Sequence, residues 1–578
     1  MAQARTEQHG DSPSRRPGPV AGMEALTLDT AFEKAASPPA VGAGWWQAPR
    51  GRGGHARPPA RSTRPPRRRE LVDTRLAASA AGVALTLMLL ASLTIVSLAA
   101  RGSSWLSPVA ARGNAFPSWI AGPLGPLTSA INLDSIDVSI AFGVLAPVMY
   151  VGYLVVVAVA PQLRARWVLG AVVLLHIVFF LAPPMQLSDI FNYLNYARMQ
   201  AVHGLNPYTT IPALGPAGDL TFGLSNWHGL LSPYGPLFTL FTIALAPAGV
   251  VASFWSLKAV LMLLSLGTVW LVWRCADLLG RAPLRAAVFV GLNPIVLIWG
   301  LGGDHNDFFM VFLVLAATYL LLEAQSMRVG LRRPPHDRAA TLPSGPLASA
   351  SAFLRRAFAW IDGTQRPLPA GEPGPQREFA AGVAVAAAIA IKASAGILAP
   401  IILLGVARRT RLALGLLMGL LAAGAATLVA FGANLPNLAQ QARIVVQNGV
   451  PNLLGYLSGA GGETAVLHSV LTVVLVLGVV GWGAWAARTR DWITACGGAA
   501  LLTLLTLSWM LPSYLLWVLP FAALARGRWL RVATVVFAIY VFLFWMPYTN
   551  GLEHFLHLHL SNTAVGRAAS SYQNALEF

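Results

Sequence analysis

One carboxylate, Asp189, opens a polar segment, Ser188–Tyr208 (SDIFNYLNYARMQAVHGLNPY), directly after an apolar run. An ionised carboxylate within reach of a hydroxyl can take its proton as the oxygen attacks an electrophile, which is general-base chemistry. Read as a helix, the segment puts Ile190, Phe191, Leu194, Ala197, Ala201 and Val202 on one stripe, with Asp189, Asn192, Tyr193, Tyr196, Gln200 and His203 opposite. This pattern predicts a helix lying along the membrane surface, apolar face down, with its carboxylate held against a lipid-borne substrate. Asn192, Tyr193 and Tyr196 then stand where sugar hydroxyls would be bound. The structural alternative is that Ser188 caps the helix and Asp189 only complements its dipole.

Cations supply the other half of the chemistry. The chain has three lysines, Lys34, Lys258 and Lys392, and two of them lie inside apolar segments. A charge at membrane depth is costly and faces a cavity, a partner or a substrate. Lys392, in AIAIKASAGILAP, has no carboxylate nearby in sequence, so an anionic ligand such as phosphate is its expected partner, with snorkelling as the alternative. Lys258 or Arg198 is the candidate for a second phosphate contact. Asp304, His305 and Asp307, in GGDHND, open a further apolar run. They read equally as substrate contacts or as a cap and capping box for the next helix. Tyr234 lies in SPYGPLF, whose prolines set a rigid bend, and Tyr514 in SWMLPSYLLW, where an aromatic belt or a cavity lining is expected. The polar stretch from Asn434 to Asn448 suits carbohydrate as well as it suits solvent. His554, His557 and His559 suggest a metal less than an interfacial tail, and no metal ligand set or cofactor is expected; a divalent cation is not indicated.

These residues need a scaffold, and composition names it. A hydrophobic fraction of 56%, a charged fraction of 11% and a mean hydropathy of +0.60 belong to a polytopic membrane protein. Apolar runs of about 20 residues must be helices, because backbone groups in lipid have to pair internally. The reading is an all-α bundle of about 13 transmembrane helices with external juxtamembrane helices. The short run Pro236–Pro247 is expected to be re-entrant or interfacial, and 379–407, tight for two crossings, to be a pair of short helices meeting near Lys392. Three regions follow: 1–75, a disordered basic cytoplasmic tail; 76–547, the membrane domain; and 548–578, an external tail. Within the domain, loop 185–235 carries the polar chemistry outside and loop 327–378 is a flexible cytoplasmic tether. Arginines sort to one side, which puts the N-terminus inside and the C-terminus outside. The net charge of +18 lies in loops and speaks to orientation and anionic lipid, not to nucleic acid. Cys275 and Cys496 lie at or within apolar segments and give no disulfide framework.

Taken together, SDIFNYLNYARMQAVHGLNPY, SPYGPLF, GLNPIVLIWGLGGDHNDFFM, IKASAG and SWMLPSYLLWVLPFAAL resemble the polyprenol-phosphate-mannose-dependent α-1,6-mannosyltransferases of actinobacteria, the MptA/MptB type, with MptB-like members nearest. The resemblance covers roughly residues 76–547 and implies the GT-C glycosyltransferase fold in a plasma (inner) membrane. It implies that Asp189 is the base, that the donor is polyprenyl-phosphate-mannose, and that the acceptor is an α-1,6-mannan glycolipid such as lipomannan. A second acid beside Asp189, common in that fold, is missing, which leaves Asp219, Asp304 or Asp307 to fill its place or one carboxylate to suffice. Two other readings stand beside this one. A lipid-linked-sugar transporter or flippase would also bury charges near broken helices, though no internal repeat supports it. A related enzyme using another lipid-linked sugar, such as arabinose, differs in nothing the residues themselves distinguish.

Overall fold

Apolar runs of membrane-spanning length become helices here, and the places where they break are set by proline and glycine. The computed structural model describes residues 68–102, 106–108, 117–126, 137–328 and 375–577, all in one compact unit. In chain order the main helices are α1 (Arg68–Ala100), α2 (Val138–Val159), α3 (Ala165–Phe180), α4 (Asp189–Ala201), α5 (Pro236–Leu245), α6 (Val250–Leu278), α7 (Pro283–Gly291) and α8 (Asp307–Arg328). There follow α9 (Pro375–Ile391), α10 (Leu398–Gly405), α11 (Thr410–Phe431), α12 (Ala465–Thr489), α13 (Trp492–Thr506), α14 (Leu519–Leu524), α15 (Arg528–Leu543) and α16 (Ala564–Glu577). No strand occurs among the described residues. The chain is an all-α polytopic membrane protein. Among the described residues six helices are long and apolar enough to cross a bilayer, and five shorter apolar helices accompany them, where about 13 spans were expected.

Helix α1 packs along α2, and α8 lies between α6 and α9. Helices α9 and α11 approach most closely at Gly382 and Gly415, where a Cβ on either would run into the other helix's backbone. Small residues at such a crossing let two helices approach without a side-chain layer between them.

Three helical passages are interrupted, and the interruptions meet. Pro294 has no N–H to continue α7, so the chain turns at Asn293 and resumes as a π-helical turn, Val296–Leu301. Lys392 adopts an extended conformation that ends α9, and a 3₁₀ turn, Ala393–Ile397, leads into α10. Leu511 is extended ahead of Pro512, and a 3₁₀ turn, Pro512–Trp517, precedes α14. The π turn packs against Pro512–Trp517, which also touches α8.

The freed Ile391 carbonyl does not go unpaired, because the Gly235 N–H donates to it at 3.1 Å. Thus the SPYGP bend docks on the break that exposes Lys392. Helix α5, only ten residues long, packs beside α4 and α9 rather than crossing as a long span.

The first helix begins at Arg68, so the last residues of the expected tail to 75 are helical, while residues 1–67 lie outside the described residues. Most of loop 327–378 also lies outside them, between α8 and α9. Within 548–578, Leu576 packs with Trp227, Leu230 and Ile444, and its carbonyl accepts from Gly229 N–H at 2.8 Å.

Candidate active site

The GGDHND turn, Gly302–Asp307, sits where the broken helices converge, and glycine is what lets it turn so tightly. A Cβ on Gly302 would strike the Ile298 carbonyl, and one on Gly303 would strike the Trp299 carbonyl and the His305 ring. Asp304 holds a left-handed φ of 54°, a conformation that aspartate tolerates better than most residues. The turn is tied to its surroundings by Met185 N–H donating to Gly302 O at 2.7 Å and by Asn306 N–H donating to Tyr193 Oη at 3.3 Å.

Both lysines find carboxylates in this turn. Lys258 Nζ donates to Asp304 Oδ1 at 2.7 Å, with both side chains essentially sealed from solvent, at 0% and 2% exposure. Lys392 Nζ donates to Asp307 Oδ1, also at 2.7 Å, and that oxygen accepts from Trp517 Nε1 at 2.6 Å. The Lys392 ammonium further lies over the rings of Tyr514, at 4.4 Å, and Trp517, at 5.2 Å. Asp304 is therefore no helix cap: α8 begins at Asp307, and the Asp304 carboxylate is spent on Lys258. Lys392, which has no carboxylate nearby in sequence, finds one 85 positions away. It remains one-fifth exposed, whereas Lys258 is sealed, so only Lys392 of the two can still reach a ligand.

Asp189 lies on the other side of His305. Its Oδ2 is 3.4 Å from His305 Nδ1, and its Oδ1 accepts from Asn192 Nδ2 at 3.3 Å. Burial holds the His305 imidazole below its usual pKa, with the Asp189 and Asp307 carboxylates pulling the other way. Several polar atoms in the turn are buried without a hydrogen bond: Asp304 Oδ2, His305 Nε2, Asn306 Nδ2 and Asp307 Oδ2. Buried polar groups are ordinarily satisfied, so this cluster presents unused donors and acceptors.

The helix that carries Asp189 is not laid on lipid as its pattern predicted. Ile190 to Ala197 are all buried, on both faces of α4. Phe191 stacks on Phe254 on the apolar side, while Tyr193 and Tyr196 meet Tyr234 on the other. Ile190, Phe191, Leu194 and Ala197 of the stripe meet protein, while Ala201 and Val202 are exposed. Ser188 makes no side-chain cap; its hydroxyl donates to Asn226 Oδ1 at 3.2 Å. Asn192 also donates to Asn226 Oδ1, at 2.7 Å, and accepts from the Asn226 and Trp227 backbones, pinning loop 225–227 beside the carboxylate. Burial first, and the Asp189 charge second, push the phenols of Tyr193, Tyr196 and Tyr234 upward, so they stay protonated and can donate.

The remaining candidates separate from this centre or change character. Arg198 makes a forked ion pair with Asp219, which also accepts from His203 and Thr221. Although burial opposes its charge, these partners hold the Asp219 carboxyl well below the usual range. Arg198 is thereby occupied in fastening α4 to the loop. Tyr514 is buried against Trp517, not set in an exposed aromatic belt. Trp517 and Asn226 are functional candidates that sequence reasoning missed. Trp517 lay within the quoted SWMLPSYLLW motif, but nothing local marked its N–H as a carboxylate donor. Among the described residues no group of three His, Cys, Asp or Glu side chains is disposed to hold a metal ion.

A carboxylate–imidazole pair lies beside a paired ammonium at the junction of broken helices in a membrane bundle, an arrangement with the groups that acid–base chemistry and anion binding require. Residues 80–408 match the family model for the N-terminal domain of alpha-(1->6)-mannopyranosyltransferases, the MptA_B family. The chain is 28% identical over 393 residues to a probable alpha-(1->6)-mannopyranosyltransferase of Mycolicibacterium smegmatis, covering 64% of this chain and 67% of that one. It is 26% identical over 419 residues to an alpha-(1->6)-mannopyranosyltransferase of Mycobacterium tuberculosis, with the same coverage. A shorter match, 32% over 151 residues, relates it to alpha-(1->6)-mannopyranosyltransferase A of Corynebacterium glutamicum, covering 25% of this chain and 29% of that one. No solved structure matches. The chain belongs to the alpha-(1->6)-mannopyranosyltransferase family and is a membrane mannosyltransferase.

Proposed function

We propose that this enzyme transfers mannose from polyprenyl-phosphate-mannose to the 6-hydroxyl of an α-1,6-mannan glycolipid of the lipomannan type, on the external face of the plasma membrane. In the reaction the acceptor O6 bonds to the mannose C1 as the C1–O bond to phosphate breaks. The acceptor proton passes to Asp189, and polyprenyl phosphate leaves. Phosphate is already a competent leaving group and needs no protein acid. The protein must orient the acceptor, take its proton and offset the charge on the departing phosphate. In-line attack on a β-linked donor inverts to the α product.

The observation that carries the reading is the run of contacts Asp189–His305 and Asp307–Lys392 within one tight turn. It brings a carboxylate and an ammonium to the same junction, which supports the roles given to Asp189 and Lys392. Lys392 is the phosphate ligand of choice, released in part from Asp307 as the donor arrives; Lys258 and Arg198, the alternatives for a second phosphate contact, are each held by an aspartate. His305 keeps the Asp189 carboxylate oriented. The clustered loop arginines support an inside N-terminus and hence an external site.

The test is transfer by purified protein from radiolabelled polyprenyl-phosphate-mannose to a short α-1,6-mannoside, with and without chelator. An α-1,6-extended product that survives chelation is expected. Donor carried across a vesicle without product, or product only from a lipid-linked arabinose, would overturn the proposal.

A further inference from the structure

Five arginines gather where α7, α13 and α15 begin and α14, which packs against all three, ends. The Ala525 carbonyl, just beyond α14, accepts from two guanidiniums at once, through Arg281 Nη1 and through Arg531 Nη1 at 3.0 Å. Arg526 lies within electrostatic reach of Arg281, and Arg285 and Arg528 within reach of Arg531. The acid that bears on Arg281 here is Asp491, and its two oxygens accept from the Thr494 N–H and hydroxyl. The Arg526 N–H donates to that hydroxyl at 3.2 Å, which ties the loop after α14 to the start of α13.

Local electrostatics run against this gathering. Arg285 lies in the first turn of α7, and Arg528 and Arg531 in the first turn of α15, where helix dipoles favour anions. Neither turn contains an acid, and neither helix has a side-chain cap. Burial first, and the Arg531 charge second, hold the Arg281 guanidinium below its usual pKa. An excess of arginine on one side of a membrane protein follows from how spans orient. That rule does not bring two guanidiniums to one neutral carbonyl. An anion seated among them offsets both the mutual repulsion and the helix dipoles. Each guanidinium has five N–H donors, so the bond to Ala525 leaves Arg281 and Arg531 able to take one.

The neighbouring surface indicates what carries the anion. Trp529, Val532, Val536, Ile539 and Leu543 are exposed along one face of α15, the helix that starts at Arg528. Trp529 stacks on Trp482 of α12 at 5.7 Å, with the rings nearly parallel, and so stands as an interfacial indole beside the arginines. From Trp529 to Leu543 the apolar stripe runs about 21 Å at 1.5 Å per residue, longer than the roughly 15 Å half-thickness of a hydrocarbon core. Cations at its head and apolar side chains along its length complement an acidic headgroup with its acyl chains.

We propose that Arg281, Arg285, Arg528 and Arg531 hold the phosphate of an anionic phospholipid whose acyl chains lie along the exposed face of α15. This site is separate from the mannosyl-transfer centre and does not depend on the donor or acceptor assigned to it.

The test is binding of a fluorescent phosphatidylglycerol to the purified full chain in neutral detergent, with phosphatidylcholine of the same chains and inorganic phosphate as comparisons. Wild-type protein is expected to prefer phosphatidylglycerol and to keep it in millimolar phosphate. R285Q/R528Q, at exposed positions, should weaken binding by about 30-fold, the loss expected for two arginines near a membrane surface. R281Q/R531Q should lose at least as much; thermal unfolding checks its fold, and R285Q/R528Q decides the matter if it does not fold. R408Q/R411Q, exposed where α11 begins and outside the cluster, should bind as wild type does. Unchanged affinity in R285Q/R528Q, an equal loss in R408Q/R411Q, or equal binding of phosphatidylcholine overturns the site. Displacement by inorganic phosphate overturns the lipid as its occupant.

Discussion

Substituting Gly235 with alanine is a severe change at a position with no chemistry of its own. Its φ and ψ, −65° and 151°, suit any residue, so backbone freedom is not the reason for glycine. Space is the reason: an added Cβ would lie 2.6 Å from the Ile391 carbonyl oxygen, closer than real Cβ atoms approach, and would also strike the Ala390 carbonyl. Relief needs a withdrawal of at least about 0.4 Å, which stretches the 3.1 Å bond from Gly235 N–H to Ile391 O beyond useful length. An orphaned buried carbonyl costs about 1–3 kcal/mol, and forced overpacking costs a similar amount. Against a typical total of about 5–15 kcal/mol, that is a large share of stability. The displaced residue neighbours Lys392, and misplacement by about 1 Å can cost about 100-fold in rate. In a detergent-solubilised transfer assay, G235A is expected to show a lower Tm and a kcat reduced by about ten- to 100-fold. Wild-type kcat and Tm together would refute the argument that the SPYGP bend sets the Lys392 break.

The other predictions concern charge. K258M leaves Asp304 buried without its cation and is expected to destabilise the protein by about 3–5 kcal/mol, whereas K258M/D304L removes both charges and should recover much of that in thermal unfolding. A single variant no worse than the double would contradict the buried pair. Asp219 has a folded pKa below its unfolded value, so its contribution is present above the ordinary carboxylate range, near about 4, and is lost as pH falls through the folded value. D219N should therefore lower Tm at pH 6 and flatten the acid limb of Tm against pH; an acid limb of unchanged slope would count against the Arg198–His203 clamp.

Much of the architecture was legible because membrane helices obey a one-dimensional rule: an apolar run of sufficient length must be a helix. The interruption at Lys392 was visible as a run too tight for two full crossings, and the short Pro236 run as one too short to cross. The site was less legible because its pairings are long-range. Lys392 finds Asp307, and Lys258 finds Asp304, across 85 and 46 positions, separations at which periodicity says nothing. The amphipathic stripe on α4 was real, yet sequence cannot distinguish an apolar face meant for lipid from one meant for Phe254. For the same reason Ser188 looked like a cap until Asn226 took its hydroxyl.

Turnover of the Asp189→Asn enzyme, measured with polyprenyl-phosphate-mannose and an α-1,6-mannoside alongside donor binding, bears most directly on the mechanism. Asparagine keeps the shape and the contact with Asn192 but cannot take a proton. The expected result is a kcat lowered by about 10²- to 10⁴-fold with donor affinity retained. Wild-type turnover in that variant would contradict the assignment of the acceptor proton to this carboxylate.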